Sequence, residues 1–177
     1  MSDLDFYAHV ATRGDVLGAG IGTTPAEWEA RLGPDYLDDR SHGLMRRDYG
    51  LLELSFREDK DAWLCFGISV QVHRLIHDTA AVPPALQEAY GPFAPRVGFD
   101  DLSGLIRSKG HSVERDDDTT TTDTLRYRVP ESGVRIFVIA DPDPYGYGDV
   151  DPDDPTQHQV GDVRSINVAP DWWSRAT

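Results

Sequence analysis

Leu51-Leu52-Glu53-Leu54-Ser55-Phe56-Arg57 and Trp63-Leu64-Cys65-Phe66-Gly67-Ile68-Ser69-Val70-Gln71-Val72-His73, joined by Glu58-Asp59-Lys60-Asp61-Ala62, decide the fold. In the first run Leu52, Leu54 and Phe56 share one face, and Glu53, Ser55 and Arg57 the other. In the second, Leu64, Phe66, Ile68, Val70 and Val72 alternate with small or polar residues. A period of two held this long predicts an antiparallel pair within Tyr49–Leu75, with one face buried. On this phase Cys65 lies opposite the apolar stripe, beside Trp63 and Gly67, while His73 continues the strand. The face carrying Trp63, Ser69, Gln71 and His73 is then left without an assigned neighbour.

Outward from this pair, the chain is punctuated by caps and turns. Thr24 with Pro25 at the first helical position, Glu27 and Glu29 near the positive dipole end, and Gly33-Pro34 as a stop predict a helix carrying Trp28 and Leu32 on one face. Asp35 to Gly43 reads as turn-like, and Leu44 to Arg47 as a short strand. Val82-Pro83-Pro84 introduces a short helix over Ala85 to Tyr90, closed by Gly91-Pro92. Asp100 or Asp101 caps a further helix, Asp101 to Lys109. Thr124 to Val129 and Val134 to Ile139, separated by Pro130-Glu131-Ser132-Gly133, predict a second hairpin, and Val163 to Val168 a last strand.

The order of elements repeats: a capped helix, a polar loop, then a hairpin. We therefore expect an α+β fold, an antiparallel sheet or sheets with helices packed on one face, built as two tandem helix–hairpin modules. The expected divisions are one domain over 1–177, with residues 16–76 as module one, 77–96 as connector and 97–170 as module two.

Charge is the outlying bulk property: 31 acidic against 17 basic residues give a net charge of −14. Such a field opposes nucleic acid and anionic membranes, and favours a basic protein partner. Cys65 is the only cysteine, which excludes an internal disulfide and fits a reducing compartment. The first residues lack the basic and apolar segments of a signal peptide, so a cytoplasmic location is expected. No oligomeric state follows from the pattern.

Gly22-Thr23-Thr24-Pro25-Ala26-Glu27-Trp28-Glu29-Ala30-Arg31-Leu32-Gly33-Pro34 resembles a signature of the outer-membrane assembly lipoprotein family. The tandem helix-plus-sheet plan is similar to that of the secreted β-lactamase inhibitory proteins. Size and acidity resemble the immunity proteins that accompany bacterial toxins. These resemblances imply a fold used for protein–protein contact, without catalysis or cofactor. The lipoprotein signal and the paired cysteines of the secreted inhibitors are missing here, so neither family's partner is implied.

Catalytic motifs are not evident. Val16 to Gly22 lacks the strand and free amides of a dinucleotide loop, and no nucleophile elbow, Walker loop or paired Cys-x-x-Cys is present. His73 and His77 have zinc-like spacing, but His73 continues a predicted strand, so the helical geometry that would join them is missing. No catalytic or metal residue is therefore assigned.

The stretch that stands out is Asp141-Pro142-Asp143-Pro144-Tyr145-Gly146-Tyr147-Gly148-Asp149-Val150-Asp151-Pro152-Asp153-Asp154. Its opening Asp-x-Asp-x-x-Gly is calcium-like, although Pro152 occupies the twelfth position, where an EF-hand needs Glu. Long loops of this kind are commonly functional. Tyr145 and Tyr147 supply aromatic anchors, and Asp141, Asp143 and Asp149 a charged surround, for a protein partner. Trp63 is the sixth candidate contact residue. The expected function is toxin neutralisation by an immunity protein through stoichiometric contact. The alternative is a small-ligand or divalent-metal protein, or an enzyme, using residues 141–154.

Overall fold

The computed structural model describes residues 1–117, 123–148 and 150–170. The chain forms an α+β fold, with one eight-stranded, wholly antiparallel sheet and four α-helices among the described residues. The strands are β1 (Leu37–Ser41), β2 (Leu44–Asp48), β3 (Leu52–Asp59), β4 (Ala62–Val70), β5 (Glu114–Arg115), β6 (Thr124–Val129), β7 (Val134–Ile139) and β8 (Val163–Val168). Their spatial order is β1-β2-β3-β4-β8-β7-β6-β5. Each group of four consecutive strands is a meander, and the last strands of the two groups, β4 and β8, pair at the centre of the sheet.

The helices are α1 (Asp3–Arg13), α2 (Pro25–Leu32), α3 (Pro84–Tyr90) and α4 (Phe99–Ser108). Thr24 and Glu27 form the reciprocal capping box of α2, and Pro25 occupies its first turn, as the sequence predicts. Helix α4 begins two residues before the expected Asp101, because the backbone turns at Gly98, with Asp100 and Asp101 in the first turn. Helix α1 is an addition to the expected elements. Ser2 and Asp5 close its capping box, and Phe6, Tyr7, Val10 and Ala11 are buried.

Burial follows the predicted alternation in β3, where Leu52, Leu54 and Phe56 enter the core. In β4 the expected stripe is broken. Ser55 pairs with Gly67, but its neighbour Phe56 pairs with Cys65, so Phe66 is an extra residue in a β-bulge. Ile68 and Val70 keep the expected phase, whereas from the bulge back to Trp63 the phase inverts. Cys65 is buried in the core, and Leu64 and Phe66 are only half-buried. A shift of one residue exchanges the faces of everything beyond it. After Val70 the chain leaves the sheet as a 3₁₀ turn, Val72–Ile76, so His73 does not continue the strand.

Hairpin geometry fixes the remaining register. His42 and Gly43, at φ 51° and 75°, form the two-residue connection between β1 and β2, where positive φ matches the strand twist. Gly50, at φ 88°, lets the backbone pass so close to Ala81 that a β-carbon would lie 2.4 Å from its carbonyl oxygen. Strand β1, in the segment expected to be a turn, is exposed along its whole length.

The core joins the buried sheet residues to Phe6, Trp28, Leu86, Leu102 and Ile106 of the helices in one cluster. At its edge lies an ion pair between the buried Arg47 and Asp38 of the exposed strand β1. Arg47, 3% exposed, meets Asp38 through Nε at 2.8 Å and Nη2 at 3.1 Å, donates Nη1 to the Pro25 carbonyl, and lies 3.6 Å over the Tyr36 ring. No described helix is long and apolar enough to cross a membrane.

Candidate functional site

Between β7 and β8 runs the acidic connection, with six aspartates and no lysine or arginine from residue 141 to 159. Its shape comes from side chains that replace missing backbone partners. Asp141 accepts the amide of Asp143 at 2.9 Å, and Asp143 accepts those of Tyr147 at 3.1 Å and Gly148 at 2.8 Å. Such side-chain bonds, of which the Asp141 one is an Asx turn, let a chain with prolines satisfy its amides without a sheet or helix. Gly146 and Gly148 take the positive φ values the tight path demands. Further along, Asp151 accepts the amide of Asp153, and Asp154 accepts the amide and hydroxyl of Thr156. The Thr156 bonds hold the Asp154 carboxyl below its usual range.

This curl projects two aromatic rings. Tyr145 is 80% exposed and Tyr147 76%, and they stack with centroids 5.9 Å apart and planes 28° from parallel. Exposed tyrosines held against each other lose little rotamer freedom on binding, and each offers an apolar face with a polar tip.

The loop's return is anchored by a clamp that sequence reasoning does not find. Asp162, 5% exposed, receives Arg96 Nε at 2.8 Å and Nη2 at 3.0 Å, and also accepts the Gln159 amide at 2.9 Å. Arg96 Nη1 reaches the Pro155 carbonyl, and the Gln159 side chain donates to the carbonyls of Asp151 and Asp154. Arg96 and Asp162 are 66 residues apart, so no local pattern signals their pairing.

Beside the anchor, the His77 and His158 rings meet edge to face at 6.2 Å, and His73 Nδ1 lies 3.3 Å from the Arg164 carbonyl. Burial holds His158 and His73 below the ordinary histidine range; Asp162 opposes this at His158 and the Arg164 carbonyl at His73, while the charges of Arg164, Arg96 and Arg74 reinforce it.

Of the sequence-predicted contact residues, Asp141, Asp143, Tyr145 and Tyr147 fall together in one short curl, and Asp149 lies outside the described residues. Trp63 is elsewhere. The β4–β8 register, Ile68 to Val168 and Val70 to Ile166, puts it at the end of β4 remote from the loop. There it packs against the core, with the Arg40 guanidinium 5.7 Å over its ring. The face opposite the core instead carries Ser69, which donates to Asn167 at 2.6 Å and accepts from Gln71 at 2.8 Å. Trp172 and Trp173 lie outside the described residues.

Metal and nucleophile chemistry find no assembled site among the described residues. Among the described residues, no group of three or more histidine, cysteine, aspartate or glutamate side chains is placed to hold a metal ion. Cys65 is buried, and burial pushes its thiol up to about 12, far from the thiolate a nucleophile requires. No family model, curated protein or solved structure matches the chain.

Proposed function

We propose that this chain is a protein-binding inhibitor of the immunity-protein kind, and that the curl at Asp141–Gly148 is its contact surface. The observation that carries the reading is the stacked, exposed pair Tyr145–Tyr147 on a loop buttressed by its own aspartates. Aromatic anchors surrounded by charge are the composition of interface hot spots. A net charge of −14 steers a basic partner toward such a surface. Neutralisation is then steric and stoichiometric, in a bacterial cytoplasm, with no cofactor and no catalytic step of the inhibitor's own.

The two-module plan with helices on one face belongs to the same proposal. In its support, two helices precede each four-stranded meander, and the meanders join through β4 and β8. The likeness to inhibitory and assembly proteins rests on that plan and on residues 22–34.

The test is affinity for the captured partner. Tyr145→Ala/Tyr147→Ala weakens it by about a hundredfold, the scale of two aromatic hot spots. Association slows as salt rises through a Debye length of about 10 Å. An unchanged dissociation constant in the double variant contradicts the assignment of the loop.

A further inference from the structure

A second site lies on the helical side of the molecule, apart from the loop. Asp5, His9, Thr12 and Arg13 of α1, Tyr90 at the end of α3, and Lys109 with His111 beyond α4 line a cleft of about 270 Å³. Two of the cationic side chains there have no direct carboxylate partner among the described residues. Arg46, Arg47, Arg74, Arg96, Arg115 and Arg135 all meet carboxylates. Among the described residues, Arg13 and Lys109 form no side-chain ion pair or hydrogen bond, although the charge of Lys109 reaches Asp5 across the cleft.

Helix dipoles account for part of this, because Arg13 is in the last turn of α1 and Lys109 follows the last turn of α4. They do not account for both cations lining one cleft together with two of the chain's six histidines and a tyrosine. The lone carboxylate of the lining, Asp5, accepts the backbone amide of Ser2 at 2.8 Å and its hydroxyl at 3.1 Å through the single oxygen Oδ2, and the charge of Lys109 acts on it. His9 is oriented by Asp15, which lies 2.8 Å from its Nε2. Two cations and two histidines still outnumber this one carboxylate in a polar cavity large enough for a small metabolite.

We infer that this cleft binds a small, multiply charged anion bearing phosphate or carboxylate groups, with Arg13 and Lys109 as its charge partners. Guanidinium and ammonium groups recognise both oxyanions through charge-assisted hydrogen bonds, and the cleft admits one such molecule.

The test is isothermal titration of the full chain with inorganic phosphate, citrate and a nucleoside monophosphate, each matched by sodium chloride at equal ionic strength. A saturable heat with at least one of them, absent with chloride, is expected; which one binds identifies the oxyanion. Arg13→Gln and Lys109→Gln each weaken it about tenfold. Arg31→Gln, which removes the same charge from the last turn of α2, leaves it unchanged. No saturable heat up to about 10 mM of all three anions, or an affinity untouched in the Arg13→Gln/Lys109→Gln double variant, overturns the inference. Loss of partner binding through the Tyr145–Tyr147 loop would leave these titrations unaffected, so the two readings fail separately.

Discussion

Replacing Asp162 by alanine tests whether the acidic loop is a held structure. The substitution removes two bonds from Arg96, at 2.8 and 3.0 Å, and one from the Gln159 amide at 2.9 Å. A hydrogen bond to a charged group contributes roughly 1.5–3 kcal/mol. The Arg96 side chain is 28% exposed, however, so water takes over part of what it loses. The backbone carbonyl of Asp162 keeps its bond from the Ile139 amide, which limits the damage to the sheet. Together these give a loss of about 2–3 kcal/mol. Asp162→Asn, which keeps an acceptor but not the charge, should lose about half as much. Urea denaturation measures the stability, and hydrogen exchange of the amides from Asp143 to Gly161 measures the loop. Partner affinity should fall with the exchange protection, since the tyrosines are no longer presented in one arrangement. A stability change under about 0.5 kcal/mol in Asp162→Ala, with loop exchange unaltered, refutes the reasoning.

Three further predictions come from the core and the loop's base. Asp38→Ala strands the buried Arg47 guanidinium. Burial alone lowers the pKa of Arg47, and the bonds and charge of Asp38 outweigh that, so we expect a loss of about 2–4 kcal/mol by denaturant titration and a smaller one for the pair exchanged to apolar residues. Cys65 in the folded protein should resist an aromatic disulfide reagent at mildly alkaline pH and react only on addition of denaturant; rapid reaction while folded means that the bulge phase is wrong. His158 and His73 are held neutral by burial, with folded pKa values below the unfolded one. Their contribution is therefore complete above about pH 7 and declines as pH falls through about 6.5, so stability drops toward about pH 5.5. The His158→Gln/His73→Gln variant should flatten that decline, and a wild-type stability independent of pH over this interval contradicts it.

Local periodicity reveals what short-range packing dictates. Leu52, Leu54 and Phe56 are readable because each faces the core in an unbroken strand. The Thr24–Glu27 box is readable because its partners are three residues apart. Helix α1 carries equivalent signals, in Ser2 with Asp5 and the spacing of Phe6, Tyr7, Val10 and Ala11, but a reading of that segment for a leader peptide passes over them. Strand β1 has no apolar stripe to read, since Leu37-Asp38-Asp39-Arg40-Ser41 is an exposed edge. The inversion at Phe66 depends on the partner strand, where Ser55 and Phe56 leave one residue of β4 unmatched. Insertion of β8 between β4 and β7 is likewise non-local. In the loop, the tyrosines and aspartates are legible by composition. Their supports, Arg96 and Asp162, are brought together only by the tertiary fold.

The most direct test of the proposed contact surface is quantitative affinity capture from a lysate of the source cell. The baits are the wild-type chain, Tyr145→Ala/Tyr147→Ala and Arg13→Gln/Lys109→Gln, all first shown to melt alike. The account predicts one basic protein bound at equal stoichiometry by the wild type and the Arg13/Lys109 variant, and lost from the tyrosine variant. Equal capture by all three baits, or no protein enriched by the wild type, contradicts it.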